Sequence, residues 1–258
     1  MLNIIISGAS SGIGRMLAID YAKKANVSCL FLFARNQERL LETVRLCRNV
    51  NNNVIIKHYC FDLNNKDEIK NTLNQILSSN KIDIVIANAG VSAGTLGGGE
   101  DILQINTLIN TNINGVIGLI YPVINQMKIN KSGKVCLISS MASFVGLPSS
   151  PTYSATKSFV RIFGDAIRSE LSSYNISVSV ICPGYIKTPM TDVNKFKMPF
   201  LMSVEKASKI IINAIDKKKG FVCFPFIMYI ILKIVDILPY KVKDVILSKL
   251  PKKSSLQK

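Results

Sequence analysis

The sequence predicts an α/β protein built on a doubly wound, parallel, seven-stranded sheet. Three observations carry the prediction. Short apolar runs rich in β-branched residues alternate with helical stretches along most of the chain. The first run leads straight into a glycine-rich turn and then an amphipathic helix. The 258 residues, 48% of them hydrophobic, suffice for one large α/β domain with a sizeable core.

The elements follow in order. Residues 2–7 (Leu-Asn-Ile-Ile-Ile-Ser) read as a buried strand. The turn Gly8-Ala-Ser-Ser-Gly12-Ile-Gly14 and a helix at about 12–24 come next, with Ile13, Met16, Leu17, Ile19 and Tyr21 as apolar positions. Strands are then predicted at 28–34, 54–60, 82–88, 133–140, 176–182 and near 221–225. Helices fall at about 37–49, 65–79, 101–130, 151–174 and 203–217, with a glycine-rich loop at 94–99 and a longer loop at 183–202. The chain divides into residues 1–225, which carry the alternating strands and helices, and 226–258, an apolar and basic extension.

Strand, glycine turn and helix form the geometry that holds a pyrophosphate. Glycines admit a close backbone approach, and the free N–H groups and dipole of the helix start attract the anion. The spacing here is GxxxGxG rather than GxGxxG. The second strand ends in Ala34-Arg35-Asn36, so an acid is missing where it would meet an adenosine ribose. Arg35 can instead pair with a 2′-phosphate, which predicts NADP(H). Glu38, the nearby acid, is expected to cap a helix or face solvent.

Tyr153-Ser-Ala-Thr-Lys157 puts a phenol and an amine one helical turn apart, with Ser140 thirteen residues upstream. A phenol titrates near pH ~10, and a nearby ammonium lowers that value. Such a pair is proton-transfer machinery. Gly8–Gly14, Asp62, Asn88–Gly90, Ser140 and Pro183–Thr188 all fall at predicted strand ends, the edge where doubly wound sheets bind ligands.

These features together resemble the typical short-chain dehydrogenase/reductase family, over residues 2 to about 225. The resemblance implies a Rossmann-type fold and hydride transfer between a nicotinamide cofactor and a carbonyl or alcohol. Ser7-Gly8-Ala-Ser-Ser-Gly12-Ile-Gly14 is similar to the family's cofactor turn, with Ser7 in place of the usual Thr. Cofactor contacts are implied at Gly8, Ser10, Ser11, Gly12, Ile13, Gly14, Arg35, Asp62, Leu63, Asn88, Ala89 and Gly90. They are also implied at Tyr153, Lys157, Pro183, Gly184, Ile186 and Thr188. Ala87 departs from the family's NNAG element. The catalytic set implied is Asn112, Ser140, Tyr153 and Lys157. Tyr153 exchanges the proton with substrate; Lys157 lowers the tyrosine pKa and meets the nicotinamide ribose. Ser140 polarises the carbonyl, and Asn112 supports a water relay. Ser139, its neighbour, points to the opposite face of the strand. A homo-oligomer is implied by analogy.

Composition bounds the alternatives. The six cysteines have no metal-like spacing, and the single His58 cannot build a multi-histidine site, so no metal is expected. Cys29, Cys60, Cys136, Cys182 and Cys223 in strands, and Cys47 on a helix, read as small buried hydrophobes in a cytoplasmic protein. The first strand starts at residue 2, which argues against a signal peptide. Net charge is +16, but it is spread along the chain without a nucleic-acid-binding signature.

The loop after Pro183 carries Pro189, Met190, Phe196, Met198, Pro199, Phe200, Leu201 and Met202, which suits a hydrophobic or acyl-chain pocket. Residues 221–240 contain the most membrane-like run, but Phe221–Leu232 is too short to span. A last strand and an apolar helix are expected there, followed by a basic tail (Lys241, Lys243, Lys249, Lys252, Lys253, Lys258) able to meet anionic lipid. A helix over the active site and a subunit interface are the other readings of this segment. Lys252 to Lys258 are expected to fray. A non-catalytic nucleotide-binding or membrane-surface protein is the competing function; a non-catalytic scaffold predicts a damaged Ser/Tyr/Lys/Asn set, which this chain does not have.

Overall fold

The computed structural model describes residues 1–95, 99–194, 196–251 and 253. Seven parallel strands form one sheet: β1 (Leu2–Ser7), β2 (Val27–Ala34), β3 (Ile55–Cys60), β4 (Ile84–Ala87), β5 (Gly133–Ile138), β6 (Ile176–Pro183) and β7 (Phe221–Phe224). Their order is β3-β2-β1-β4-β5-β6-β7. Strand order reverses between β1 and β4, and the crevice beyond that point is where doubly wound sheets bind ligands.

Helices cover both faces, so the central strands are apolar on both sides. Alternate residues separate two cores. Ile4, Ile6, Leu30, Leu32, Ile84 and Ile86 face one way, against α1 (Gly12–Ala22), α2 (Gln37–Val50) and a later helix, Val204–Asp216. Ile5, Phe31, Phe33, Val85 and Val135 face the other, against α3 (Lys66–Ser79) and the helices of residues 115–130 and 151–171. The edge strand β3 is mostly exposed.

The region expected as one helix over 101–130 is interrupted. It comprises α4 (Ile102–Ile109), a π-helical turn (Asn110–Asn114) and α5 (Gly115–Asn130). Such insertions often mark functional positions, and this one carries Asn112. By length and composition the whole run could cross a membrane, but α5 buries Val116, Leu119, Ile120, Val123, Ile124 and Met127 within the protein. Next come α6 (Pro151–Leu171), a short α7 (Pro189–Asp192) inside the expected 183–202 loop, and α8 (Val204–Asp216). Beyond β7 lie α9 (Phe226–Ile237), where a helix was expected, and α10 (Tyr240–Ser248). α10 departs from the expected basic tail: it is helical, and its Lys243 donates to the Asp236 carbonyl at 2.7 Å. The middle of the 94–99 loop, residues 96–98, lies outside the described residues.

The cysteines correct one expectation. Cys29, Cys47, Cys136 and Cys182 are buried, but Cys60 is exposed and Cys223 only partly covered. Both lie on edge strands, where one flank has no neighbouring strand.

Candidate active site

The nucleotide half of the site is made largely of backbone. Gly8 and Gly12 hold φ of +67° and +52°, a region that favours glycine. A Cβ on Gly14 would collide with the Gly8 carbonyl, so strand, turn and helix pack with no room for a side chain. Ser11 at the start of α1 makes no side-chain cap, and the first turn holds no acid. By contrast, Asn36, Asn65, Asp101 and Ser203 cap α2, α3, α4 and α8. The leading N–H groups of α1 are therefore left for an anion.

Ser7 ties this turn to β4. Its Oγ accepts from the Asn88 and Ala89 N–H groups, each at 3.0 Å. Asn88 Nδ2 donates back to the Ser7 carbonyl at 3.0 Å and to the Gly8 carbonyl at 3.3 Å. The substitution of Ser for Thr thus keeps the hydroxyl that does the bridging.

A cleft of about 630 Å³ opens over this frame. Of the predicted cofactor residues, Gly8, Ser10, Ser11, Gly12, Ile13, Arg35, Asp62, Leu63, Asn88, Ala89, Gly90 and Thr188 line it. Gly14 lies beneath it. Arg35 and Asp62, both implied cofactor contacts, form an ion pair at 3.4 Å. Sequence reasoning missed Phe33, Asn36, Arg39, Phe61, Thr111 and Met190 in this lining. Arg39 had a signal: it is basic and lies in the first turn of the helix that follows Arg35. The Phe33 and Phe61 rings meet edge to face, 5.7 Å between centroids, and had none.

A second cavity, about 490 Å³, continues from the first; Ile13, Asn88, Gly90, Thr188 and Met190 border both. Ser140, Tyr153, Lys157, Pro183, Gly184 and Ile186 line it. Ser140 begins a 3₁₀ turn after β5, its Oγ accepting from Ala142 N at 3.1 Å. Ser139 also borders the cavity, but its hydroxyl is spent on the Lys157 carbonyl at 2.7 Å. Glu100 accepts from Thr152 N at 3.2 Å and from the Thr152 hydroxyl, anchoring the start of α6 beside Tyr153.

The electrostatics differ from the simple tyrosine–lysine expectation. Burial holds the Tyr153 phenol above its ordinary pKa, while side-chain hydrogen bonds with Ser140 and Ser92 pull it back. The expected lowering by Lys157 is absent. Its Nζ sits 6.0 Å from the Tyr153 ring centroid and donates to the Ile138 carbonyl at 3.0 Å. Burial lowers Lys157 itself to about 8.

Asn112 is fully buried in the π-helical turn. Its Nδ2 donates to the Val91 carbonyl at 2.9 Å and Thr156 Oγ1 at 3.0 Å, and its Oδ1 accepts from Val91 N at 2.8 Å. The side chain is consumed in fixing the loop after β4 against α6. A Cβ on Gly90 would come within 3.1 Å of Asn112 Oδ1 and 3.3 Å of Lys157 Nζ, so this position too is tightly enclosed.

The far wall is apolar: Met190, Phe196, Pro199 and Phe200 from the 189–202 loop, and Met228, Ile231 and Leu232 from α9. Met198, Leu201 and Met202 do not line it, and Lys195 lies outside the described residues. The extension therefore covers the cavity, one of the placements left open for it. Leu250, Pro251 and Lys253 complete the cover. Lys253, expected to fray, is instead docked by its amine, 2.6 Å from Ser92 Oγ. Residues 252 and 254–258 lie outside the described residues.

A doubly wound sheet with a glycine-lined cleft running into a Ser/Tyr/Lys cavity defines a nucleotide-dependent oxidoreductase site. Residues 2–198 match the short chain dehydrogenase family model, and the chain belongs to that family of oxidoreductases. It is 29% identical over 243 residues to an uncharacterized oxidoreductase of Myxococcus xanthus, covering 93% of this chain and 94% of that one. It is 32% identical over 229 residues to the 11-beta-hydroxysteroid dehydrogenase-like 3 of Arabidopsis thaliana, covering 85% of this chain and 72% of that protein. The fold matches the short-chain dehydrogenase from Sphingobium yanoikuyae in complex with NADPH, with a TM-score of 0.81, 22% identity and 99% of both chains covered.

Proposed function

We propose that this chain is an NADPH-dependent oxidoreductase that interconverts a carbonyl and an alcohol on a hydrophobic substrate. The observation that carries the proposal is the meeting of the glycine-lined cleft with a cavity holding Ser140, Tyr153 and Lys157. A bound reduced nicotinamide dinucleotide would supply the hydride. The uncapped start of α1 holds its pyrophosphate; Arg35 and Arg39 at the open end meet a 2′-phosphate. Ser140 orients and polarises the substrate oxygen. Tyr153 gives the proton to the carbonyl oxygen, or takes it from the alcohol in the reverse direction. Lys157 is the buried cation behind it and meets the nicotinamide ribose. Asn112 acts as a positioning residue that holds the turn on which this geometry rests.

The test is NADPH oxidation across carbonyls graded in chain length and polarity, together with nucleotide binding by Tyr153→Phe. Turnover that rises with apolar length in the wild type and is lost in the variant, with binding kept, supports the reading. Full turnover in the variant overturns it.

A specific observation favours a membrane-surface role for the extension as well. Ile227, Ile230, Ile231, Ile234 and Ile237 lie on α9 at helical spacing and are all exposed, with Lys241 and Lys249 following. We propose that this stripe rests on an anionic lipid surface, next to the cavity wall that Ile231 also forms. Sedimentation with anionic vesicles, lost in Ile230→Asp/Ile234→Asp, supports it. No sedimentation even at low salt, or a dimer that these substitutions break, assigns the stripe elsewhere.

A further inference from the structure

The mechanism leaves one half-buried cation unused. Lys253 arrives from the far end of the chain, and its Nζ lies 2.6 Å from Ser92 Oγ and 5.6 Å from the Tyr153 ring centroid. Ser92 in turn hydrogen-bonds the Tyr153 hydroxyl, so this amine is one hydroxyl removed from the reacting proton. Among the described residues no carboxylate pairs with it. The described lining of the cavity contains three lysines, Lys157, Lys197 and Lys253, and neither Asp nor Glu.

Even a half-buried cation without a counter-ion is poorly solvated, and an anion entering the cavity would find its charge unpaired. Burial lowers the Lys253 amine to about 8, which leaves it mainly protonated at neutral pH. The tail that carries it is held by close packing: a Cβ on Gly94 would collide with the Lys253 carbonyl. Met190, Phe200, Ile231 and Leu250 give the same cavity apolar walls.

Resting on the oxidoreductase reading above, we infer that Lys253 forms a carboxylate subsite beside Tyr153. The substrate class it selects is an oxo acid: an apolar body against the Met/Phe/Ile walls, a carbonyl at Ser140 and Tyr153, and a carboxylate a few carbons away on Lys253. The C-terminal segment is then a specificity element, closing the cavity and supplying the anion's partner. No covalent step changes; hydride and proton go to the same carbonyl.

The experiment compares a stable 4-oxo fatty acid with its methyl ester, using the full chain and NADPH. Lys253→Met removes the charge at similar length. Lys253→Arg keeps it. Gly94→Ala displaces the tail without altering the lysine. Calorimetric titration with decanoate, which cannot react, reads the subsite independently of turnover. A charge-assisted hydrogen bond predicts that the acid-to-ester ratio of kcat/KM falls about 10- to 100-fold in Lys253→Met, chiefly through KM. Decanoate affinity falls alongside, Gly94→Ala behaves like Lys253→Met, and Lys253→Arg keeps most of the preference. A wild type indifferent to the charge, or equal effects on acid and ester, overturns the inference. A rise with both substrates in Lys253→Met overturns it too, making the tail a plug. If neither ketone turns over while decanoate binding still depends on Lys253, the subsite stands and the proposed reaction falls.

Discussion

The two halves of the site are built from different materials. The nucleotide cleft is mostly main chain: two glycines in the left-handed region, a third buried against a carbonyl, and a helix start left uncapped. That frame comes from one local unit, while Arg35, Arg39, Asp62, Thr111 and Thr188 reach the cleft from other segments. The reactive cavity is mostly side chain, gathered from β5, α6, the loop after β6, α9 and the C-terminal segment. A cleft made of backbone can be rebuilt by any sequence that supplies glycines and a strand–turn–helix. A cavity made of side chains changes its substrate whenever one wall changes. General nucleotide chemistry and particular substrate choice are thereby kept on separate parts of the chain.

If that division holds, Tyr153→Phe gives the largest effect and confines it to one half. Loss of a proton donor lowers kcat by about 10³-fold, within the range for general acid catalysis. Nucleotide affinity, read by fluorescence quenching or calorimetry, stays within about 2-fold, because the cleft does not need the hydroxyl. A matching loss of nucleotide affinity breaks the comparison.

Lys157→Met probes what the reactive half costs in stability. The folded-state pKa is about 8, below the ordinary 10.5 of lysine. Below pH 8 both folded and unfolded chains carry the proton, so the full penalty of the buried ammonium is present. Between pH 8 and 10.5 the folded state releases it first, the unfolded state binds more protons, and wild-type stability rises with pH. Above that window both states are neutral and the penalty is gone. The shift corresponds to a penalty on the order of 3 kcal/mol. The methionine variant is therefore expected to be about 3 kcal/mol more stable than wild type at pH 7. That advantage disappears above pH 10.5, as read by urea unfolding at several pH values. A variant less stable than wild type at pH 7 would mean the ammonium is better solvated than its burial implies.

This asymmetry also explains what could be read from the sequence. The sheet, its seven strands and the glycine turn are local patterns, so they were legible from spacing alone. Ser140 was chosen over Ser139 by its spacing to Tyr153; both lie beyond the end of β5 and border the cavity, and the Ser139 hydroxyl is taken up by the Lys157 carbonyl. What was missed depends on distant packing. The raised Tyr153 phenol reflects burial under groups that arrive from other segments. The docking of Lys253 joins positions 161 apart, and a lysine near a chain end looks the same whether it frays or plugs into a cavity. The π-helical turn at Asn112 is invisible to a 3.6-residue period, because it keeps the helix and only shifts its register.

Arg35→Asp tests a place where the nucleotide cleft does rely on a side chain. Arg35 is half exposed and its pair with Asp62 is long, at 3.4 Å, so the pair contributes little to stability. That leaves the guanidinium free to exchange Asp62 for a phosphate. Loss of a charge-assisted contact predicts about 10- to 100-fold weaker NADPH binding, while NADH binding changes far less. The substitution also sets two carboxylates side by side, which further disfavours a 2′-phosphate. The preference, measured as the ratio of KM for NADPH and NADH, should therefore reverse rather than merely shrink. Retained NADPH preference would transfer the role to Arg39. That residue lines the same end of the cleft from the first turn of α2, and its own N–H is already fixed to Asn36 Oδ1 at 2.8 Å. A wild type that prefers NADH would leave both arginines without a phosphate to meet, and the cleft would then owe its selectivity to backbone alone.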